Sequence, residues 1–234
     1  MNHLIIGFGE IGKAIKQVMR ENVSVYDTAL DNKRVPDTID VMHICFPYSD
    51  TFVQDVKAYL ARYEPRHVIV YSTVPIGTSK SIGEGIVHSP VEGKHPDLAL
   101  SILHMERWLG ADNTEEVQFL ANMFQELGIR TRVIESSDFT EAIKLLSTTE
   151  YGINIEFARY KKEVADAIGM DYQLTKDWNT VYNKLYRNLG LDGRYQKFVL
   201  DSPVGSKGGH CIIPNARLLD GQYPNNMVKI VGEL

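Results

Sequence analysis

A cysteine on a glycine-rich turn is the residue of this chain best suited to covalent chemistry. Cys211 lies in the run Gly-Gly-His-Cys-Ile-Ile-Pro-Asn at positions 208–215. A thiolate attacks aldehyde and thioester carbonyls when neighbouring groups lower the thiol pKa, and Lys207 and His210 are close in sequence. The alternative is a small buried residue, which is the usual state of a free cysteine. That alternative fits Cys45 better, because it lies inside an apolar strand.

A glycine signature near the start of the chain predicts a dinucleotide site. Gly-Phe-Gly-Glu-Ile-Gly at positions 7–12 follows a short apolar run and opens a predicted helix. Such glycines let the backbone turn tightly and approach a pyrophosphate, whose charge is stabilised by free N–H groups at the helix start. Asp27 ends the next predicted strand. A carboxylate there accepts hydrogen bonds from the ribose hydroxyls and repels a 2′-phosphate, so NAD is favoured over NADP. The alternative is a structural turn and a strand-end cap. The predicted cofactor-binding residues are Gly7, Gly9, Glu10, Ile11, Gly12, Asp27, Pro47, Ser72 and Thr73.

Lys144 is the candidate for electrostatic catalysis. It lies on a predicted long helix, off the main apolar stripe, and Thr148 follows one turn later. A lysine facing a cleft there would polarise a substrate oxygen or stabilise an alkoxide during hydride transfer. A solvated helix lysine is the alternative, and position alone favours it. We expect no metal site, because the histidines lack the spacing of metal ligands.

Composition restricts the classes of partner. The chain has 234 residues, 44% hydrophobic and 24% charged, which suits one large or two small globular domains. A net charge of −5 without a basic run argues against nucleic acid. No apolar stretch is long enough to cross a bilayer, and a strand starting at residue 3 leaves no room for a signal peptide. With two cysteines and no disulfide framework, we expect a cytoplasmic protein with reduced thiols.

The order of elements predicts an α/β domain followed by a helical one. Helices are predicted at 10–20, 51–63 and 114–127, and strands at 3–6, 23–27, 41–46, 67–71, 86–88, 107–109 and 130–134. Strands alternating with helices imply a parallel sheet covered on both faces, as in the Rossmann fold. We place the boundary near residue 136, giving domains 1–136 and 137–234.

Apolar residues beyond this boundary recur at helical spacing and predict one long central helix over 138–168. At 1.5 Å per residue it spans roughly 45 Å, so we expect it to pack against a partner subunit in a homodimer. Packing within its own chain is the alternative. A second helix is predicted at 171–189, and turns at 191–193 and around 203–209. The stripe comprises Phe139, Ile143, Leu146, Ile153, Phe157, Tyr160, Val164 and Ile168.

Five segments, in their order and approximate spacing, resemble the UDP-glucose/GDP-mannose dehydrogenases. That family oxidises a sugar-nucleotide alcohol to a carboxylate with two NAD. The segments are Gly-Phe-Gly-Glu-Ile-Gly at 7–12, Asp-Val-Met-His-Ile-Cys-Phe-Pro at 40–47, Ser-Thr-Val-Pro-Ile-Gly-Thr at 72–78, the helix 141–158, and the run from 194 to the Gly-Gly-His-Cys ending at 211.

The resemblance implies a role for each matching residue. Cys211 matches the nucleophile that captures the aldehyde, and Lys144 matches the lysine that stabilises the oxyanion. Thr73 matches a threonine that positions a water or the substrate near the nicotinamide. The implied substrate is a nucleotide-sugar, with substrate-binding positions at Thr148, Arg194, Gly208 and Gly209.

The chain departs from the family pattern in four places. Val91 follows Ser-Pro where the family has glutamate, and the adjacent Glu92 stands in for it. Thr148 replaces a family asparagine, and Asn215 replaces an aspartate that exchanges a proton. Members also have a third, Rossmann-like domain that binds the nucleotide. We therefore expect a divergent member lacking that domain, with two alternatives: a single-step hydroxyacid-type dehydrogenase that uses the helix lysine, or a non-catalytic nucleotide-binding relative.

Overall fold

The computed structural model describes residues 1–30, 35–93, 97–203 and 211–233. The chain forms two compact units, Met1–Leu145 and Leu146–Leu234. They are called the N-terminal unit and the C-terminal unit below. The division falls inside a long helix rather than at residue 136, because the first turns of that helix pack within the N-terminal unit.

A sheet of seven strands forms the centre of the described N-terminal unit. Its order is β2-β1-β3-β4-β5-β6-β7. All neighbours pair in parallel except β5 and β6, which are antiparallel through His88 and Gly110. The Rossmann-type prediction is confirmed, with this one antiparallel pair as a difference. The strands are β1 (His3–Ile6), β2 (Val23–Tyr26), β3 (Val41–Ile44), β4 (His67–Val70), β5 (Ile86–His88), β6 (Arg107–Gly110) and β7 (Thr131–Ile134).

Helices cover both faces of the sheet. β1 and β3 are buried along their whole length, as expected for strands with helices on either side. Ile5 contributes to the core on one face and Leu4 to the core on the other, since successive side chains alternate. α3 and α4 are short helices with no extended apolar period, and the sequence interpretation missed them. The helices are α1 (Glu10–Met19), α2 (Phe52–Tyr63), α3 (Thr78–Ile82), α4 (Leu98–His104) and α5 (Thr114–Glu126).

The long central helix is α6 (Ser137–Ala167), as predicted within a residue at each end. It is followed by α7 (Gln173–Asn188). Two further helices, α8 (Ile212–Gln222) and α9 (Asn226–Gly232), lie where no element was predicted. Pro214 lies in the first turn of α8, where proline is compatible with a helix. No helix in the described ranges is long and apolar enough to cross a membrane.

Tertiary packing explains α8 and α9. Ile212, Ala216 and Val231 form a buried cluster with Ile153 and Ile155 of α6. Helices this short are marginal in isolation, so burial of their apolar faces supplies most of their stability. A single-sequence period cannot reveal such a cluster, because its members come from three separate helices.

Candidate active site

Two of the three signature glycines are required by the packing of the chain itself. Gly7 has φ +90°, and a Cβ there would lie 2.8 Å from the backbone nitrogen of Phe46. A Cβ at Gly12 would lie 2.1 Å from the carbonyl oxygen of Gly7. Both distances are far inside van der Waals contact with backbone atoms. Gly7 therefore lets β1 approach the end of β3, and Gly12 lets α1 start against its own turn.

Gly9 is different, because nothing in the described chain requires it to be glycine. Its φ is −72°, which any residue adopts, and a Cβ there would meet no described atom within 4 Å. Gly9 is exposed at the start of α1, where the first N–H groups have no acceptor inside the helix. This open position at the start of the helix fits a pyrophosphate that approaches the backbone closely.

Asp27 lies at the end of β2, next to the glycine turn. One carboxylate oxygen accepts the N–H of Phe8 at 2.6 Å, and the other accepts the N–H of Ala29 at 2.8 Å. These two backbone donors, that of Phe8 foremost, hold the pKa of Asp27 below its usual range. The carboxylate is therefore an anion fixed beside the turn, where it fits an acceptor of ribose hydroxyls.

The loops after β3 and β4 are tied together at the same edge of the sheet. The Ser72 hydroxyl donates to the carbonyl oxygen of Phe46 at 2.6 Å. Pro47 follows Phe46 and is exposed, while Thr73 follows Ser72 and is half-buried. Because β1, β3 and β4 are parallel, these residues lie at the edge that carries the glycine turn.

Lys144 contacts the segment that follows β5. Its ammonium donates to the carbonyl oxygen of Val91 at 2.9 Å and to the carboxylate of Glu92 at 3.1 Å. The Lys144 side chain is only 15% exposed, whereas that of Glu92 is 47% exposed. The structure thus brings two predicted catalytic residues into contact. It places the lysine at the carboxyl end of β5 rather than in open solvent.

A buried arginine that the sequence interpretation missed holds the same segment. Arg107 is 3% exposed and donates to the carbonyl and hydroxyl oxygens of Ser89 at 2.7 and 2.6 Å. Burial lowers its pKa. Its Nε has no hydrogen-bond partner among the described residues. Arg107 therefore fixes the start of the 89–92 segment, whose far end meets Lys144.

Three more buried polar residues near Lys144 were also missed. Nε2 of His88 lies 3.2 Å from the carbonyl oxygen of Ser72, and Nδ1 lies 2.9 Å from the hydroxyl of Thr140. A carbonyl only accepts, so Nε2 donates and Nδ1 accepts, and burial lowers the pKa of His88 to about 3. The Glu141 carboxylate accepts the N–H groups of Gly77 and Ser79 at 2.7 and 2.8 Å. The available sequence signal was a histidine at the end of an apolar strand and a glutamate one turn before Lys144.

Buried neutral histidines predict a loss of stability in mild acid. His43 is fully buried, bonds to His3 and Tyr71 at 3.0 Å each, and burial holds its pKa well below the usual value. A histidine whose pKa is lowered in the folded state contributes its full stability above pH 6.5, the pKa in the unfolded chain. That stability is lost as the pH falls below 6.5. We expect the free energy of unfolding to fall by about 1.4 kcal/mol per pH unit for each of His43 and His88.

Denaturant unfolding at pH 7.5 and 5.5 measures this slope. His88→Gln removes one titrating group, so its slope below pH 6.5 is expected to be shallower than that of the parent chain. His104→Gln is the matched control, since His104 is exposed, and its slope should be unchanged. Equal slopes in His88→Gln and the parent chain would contradict the assignment.

The predicted substrate-binding and cysteine-site residues belong to the C-terminal unit, and some of them lie outside the described ranges. Cys211 is exposed and directly precedes α8, and Asn215 is buried one turn later. Thr148 is half-buried on α6, and Arg194 is exposed. Gly208 and Gly209, with Lys207 and His210, lie outside the described residues. No cluster of three or more His, Cys, Asp or Glu side chains suited to a metal ion occurs among the residues described.

Comparison with known proteins identifies the fold. No protein-family model and no curated protein matches the sequence. A UDP-D-ManNAc dehydrogenase from Pyrococcus horikoshii superposes with a TM-score of 0.79 at 16% identity, covering 100% of this chain and 68% of that one. A UDP-glucose dehydrogenase from Pyrobaculum islandicum gives 0.70 at 16% identity, with the same coverage. The chain has the fold of the nucleotide-sugar dehydrogenases.

The same fold occurs in a dehydrogenase of a smaller substrate. The Mycobacterium tuberculosis 3-hydroxyisobutyrate dehydrogenase, solved with L-serine, superposes with a TM-score of 0.75 at 12% identity. The match covers 99% of this chain and 91% of that one. At such identities the likeness establishes the fold. The predicted resemblance is confirmed at that level, and both kinds of dehydrogenase share the architecture.

Proposed function

We propose that this chain is an NAD-dependent oxidoreductase that oxidises an alcohol group of a nucleotide-sugar. The observation that carries the proposal is Lys144, a largely buried cation held by Val91 and Glu92 at the sheet edge that bears the glycine turn. Gly9 supports the cofactor, because it leaves open a position that the chain's own packing does not need. The structural neighbours that bear UDP-sugar names support the substrate class.

Each residue of the N-terminal unit has a defined part in this reaction. The N–H groups after Gly9 bind the pyrophosphate, and Asp27 accepts the ribose hydroxyls. Bound NAD supplies the hydride acceptor. The Lys144 ammonium stabilises the alkoxide as the alcohol loses its proton, which the Glu92 carboxylate accepts. The Thr73 hydroxyl positions the substrate or a water.

A second oxidation would use Cys211. Its thiolate would add to the aldehyde carbon to give a thiohemiacetal. Transfer of a second hydride to a second NAD would give a thioester, which water hydrolyses to the carboxylate with release of the thiol. The position of Cys211 at the start of the 11-residue helix α8 supports this role, since the helix N-terminus stabilises negative charge. In this proposal Asn215, Thr148, Arg194 and the glycines at 208 and 209 contact the substrate or the covalent intermediate.

The number of NADH formed per substrate tests the cysteine route. We expect two NADH for each nucleotide-sugar consumed by the parent chain. Cys211→Ala should keep NAD binding and the first hydride transfer but release an aldehyde after one NADH. Cys45→Ala is the control, because Cys45 is buried and should affect stability without changing the stoichiometry. Undiminished formation of two NADH by Cys211→Ala would exclude a covalent role.

A single-step dehydrogenase is the second candidate. Asn215 favours it, because an amide cannot exchange a proton as a carboxylate does, and its side chain is buried in α8. Lys144 and Glu92 suffice for one hydride transfer. One NADH per substrate, with Cys211→Ala active and Lys144→Ala inactive, would establish this candidate. NAD binding by the purified chain without turnover on any nucleotide-sugar or hydroxyacid would instead favour a non-catalytic relative.

We also propose a homodimer through α6 and α7. Phe157, Tyr160 and Ile168 of the predicted stripe are between 57% and 68% exposed. α7 has no buried residue, and its Trp178 and Val181 are 73% and 69% exposed. Two helical faces with so much exposed apolar surface are unusual on a monomer and are typical of a subunit interface.

Substitution on these faces tests the dimer. Trp178→Glu with Val181→Glu should convert a dimer to a monomer in sedimentation equilibrium, because each change would bury an unpaired charge in the interface. Lys184→Glu is the control, as a charge change on the same helix outside the apolar stripe. A parent chain that sediments as a monomer at micromolar concentration would contradict the proposal.

A further inference from the structure

We infer that Glu141 is a positioning residue that holds the loop of residues 72–79 at a fixed distance from Lys144. This loop, called the 72–79 loop below, carries Thr73. The inference rests on the proposed function, in which Thr73 and Lys144 act on the same substrate. Glu141 itself contacts neither substrate nor cofactor in that scheme, and it acts through the loop.

The Glu141 carboxylate is fully engaged by the far end of the loop. Its side chain is buried, and its two oxygens accept different backbone donors, the N–H groups of Gly77 and Ser79. Burial raises its pKa, the nearby Asp138 carboxylate adds to the rise, and the hydrogen bonds from Ser79 and Gly77 oppose it. No cation pairs with Glu141 among the described residues. Burying a carboxylate without a counter-charge costs free energy, so a contribution to stability does not explain Glu141. Its geometry is better suited to fixing the loop backbone.

The near end of the loop is attached to the adjacent residue of α6. Ser72 accepts a hydrogen bond from His88, and the other ring nitrogen of His88 bonds to Thr140. Thr140 and Glu141 are consecutive in α6, and Lys144 follows within one helical turn. The loop is therefore bonded at both ends to the helical turn that carries Lys144. We call this arrangement the loop clamp.

The loop clamp fixes the positions of two predicted catalytic groups, Thr73 and Lys144, relative to each other. Thr73 lies next to one attachment point, and Lys144 lies one turn from both. A displacement of either group by about 1 Å costs about a hundredfold in rate in well-oriented reactions. A loop that moved independently of α6 would lose that alignment, whereas cofactor binding at the glycine turn would be unaffected.

The test compares Glu141→Gln with Asp138→Asn. Gln has nearly the same shape, but its NH₂ group would face one of the two backbone N–H groups, so one attachment is lost. Asp138 also links α6 to α3, through Lys80, but that pair lies at the surface, where ion pairs contribute little to stability. The readouts are kcat, the Kd for NAD by calorimetry, thermal unfolding, and hydrogen exchange of the Gly77 and Ser79 amides.

We expect Glu141→Gln to lower kcat by about tenfold to a hundredfold. The Kd for NAD should change only by about twofold, because Ser72 and Thr73 are the only predicted cofactor-binding residues on this loop and lie at its other end. The amides of the 72–79 loop should exchange faster, while those of β1 and α1 keep their protection. Asp138→Asn should match the parent chain. Thr140→Val removes the other attachment without adding a polar group, so a similar fall in kcat is expected there.

Two results would overturn the inference. One is an unchanged kcat in both Glu141→Gln and Thr140→Val. The other is faster exchange across the whole N-terminal unit with a kcat that recovers on cooling, which indicates only lower stability. If the parent chain oxidises no substrate, the proposed function fails, and exchange decides the clamp: unchanged protection of Gly77 and Ser79 in Glu141→Gln would overturn it.

Discussion

Gly9→Ala is expected to abolish tight NAD binding in a protein that still folds. The added methyl group meets no described atom within 4 Å, so the fold tolerates it. Replacing glycine where the backbone is compatible raises stability by about 0.4–1 kcal/mol. In the proposed function a pyrophosphate approaches from the side that this methyl occupies, so the Kd for NAD should rise at least about tenfold, or about 1.4 kcal/mol. Calorimetric titration and thermal unfolding measure the two effects separately.

Gly12→Ala is the matched control with the opposite outcome. Its methyl group would lie 2.1 Å from the carbonyl oxygen of Gly7, which is backbone and cannot move away. We expect a loss of about 3 kcal/mol or more in unfolding free energy, at the upper end of overpacking effects. Tight NAD binding by Gly9→Ala would show that the glycine turn is not the pyrophosphate site, whatever the stability of Gly12→Ala.

Lys144→Ala is expected to remove turnover while NAD still binds. Losing one group that stabilises a developing oxyanion costs about 10²–10³ in kcat. The change also takes a donor from the carbonyl oxygen of Val91, but Glu92 is about half exposed and is left in contact with water. The protein should therefore fold, with a loss of about 1 kcal/mol for one hydrogen bond.

Steady-state kinetics with NAD calorimetry separates the parts of this prediction. Lys162→Ala is the control on the same helix, since Lys162 pairs with Asp166 at the surface one turn away. Its kcat should equal that of the parent chain. If Lys144→Ala kept the kcat of the parent chain, the lysine would be structural and both oxidoreductase mechanisms would fail. A rise in KM alone would assign Lys144 to substrate binding rather than to the transition state.

Local patterns were sufficient to predict most of the N-terminal unit. Short apolar runs bounded by glycine or proline identified the strands, because a strand that is buried on both faces consists almost entirely of apolar residues. Asp27 was found from its position at the end of β2. The spacing of the glycines predicted the turn, although only coordinates separate Gly12, which packing requires, from Gly9, which it does not.

The long helix was also predictable, because its apolar residues recur with the period of a helix over many turns. The open face of α6 corresponds to that stripe, yet the exposure of Phe157, and of Trp178 on α7, follows only from the folded chain. α8 and α9 were missed for a related reason. Their buried faces are short and are completed by residues of α6.

Features that depend on neighbours along the chain were therefore predictable from the sequence: the alternation of strands and helices, the glycine turn, the carboxylate after β2 and the long helix. The hydrogen bonds from the 72–79 loop to Glu141, and those by which His88 joins Ser72 to Thr140, form only in the folded chain. Those bonds link residues 64 and 52 positions apart, and hydrogen bonds at such separations leave no period in a sequence. Burial then makes them consequential, because a polar group removed from water must find its partner inside the fold.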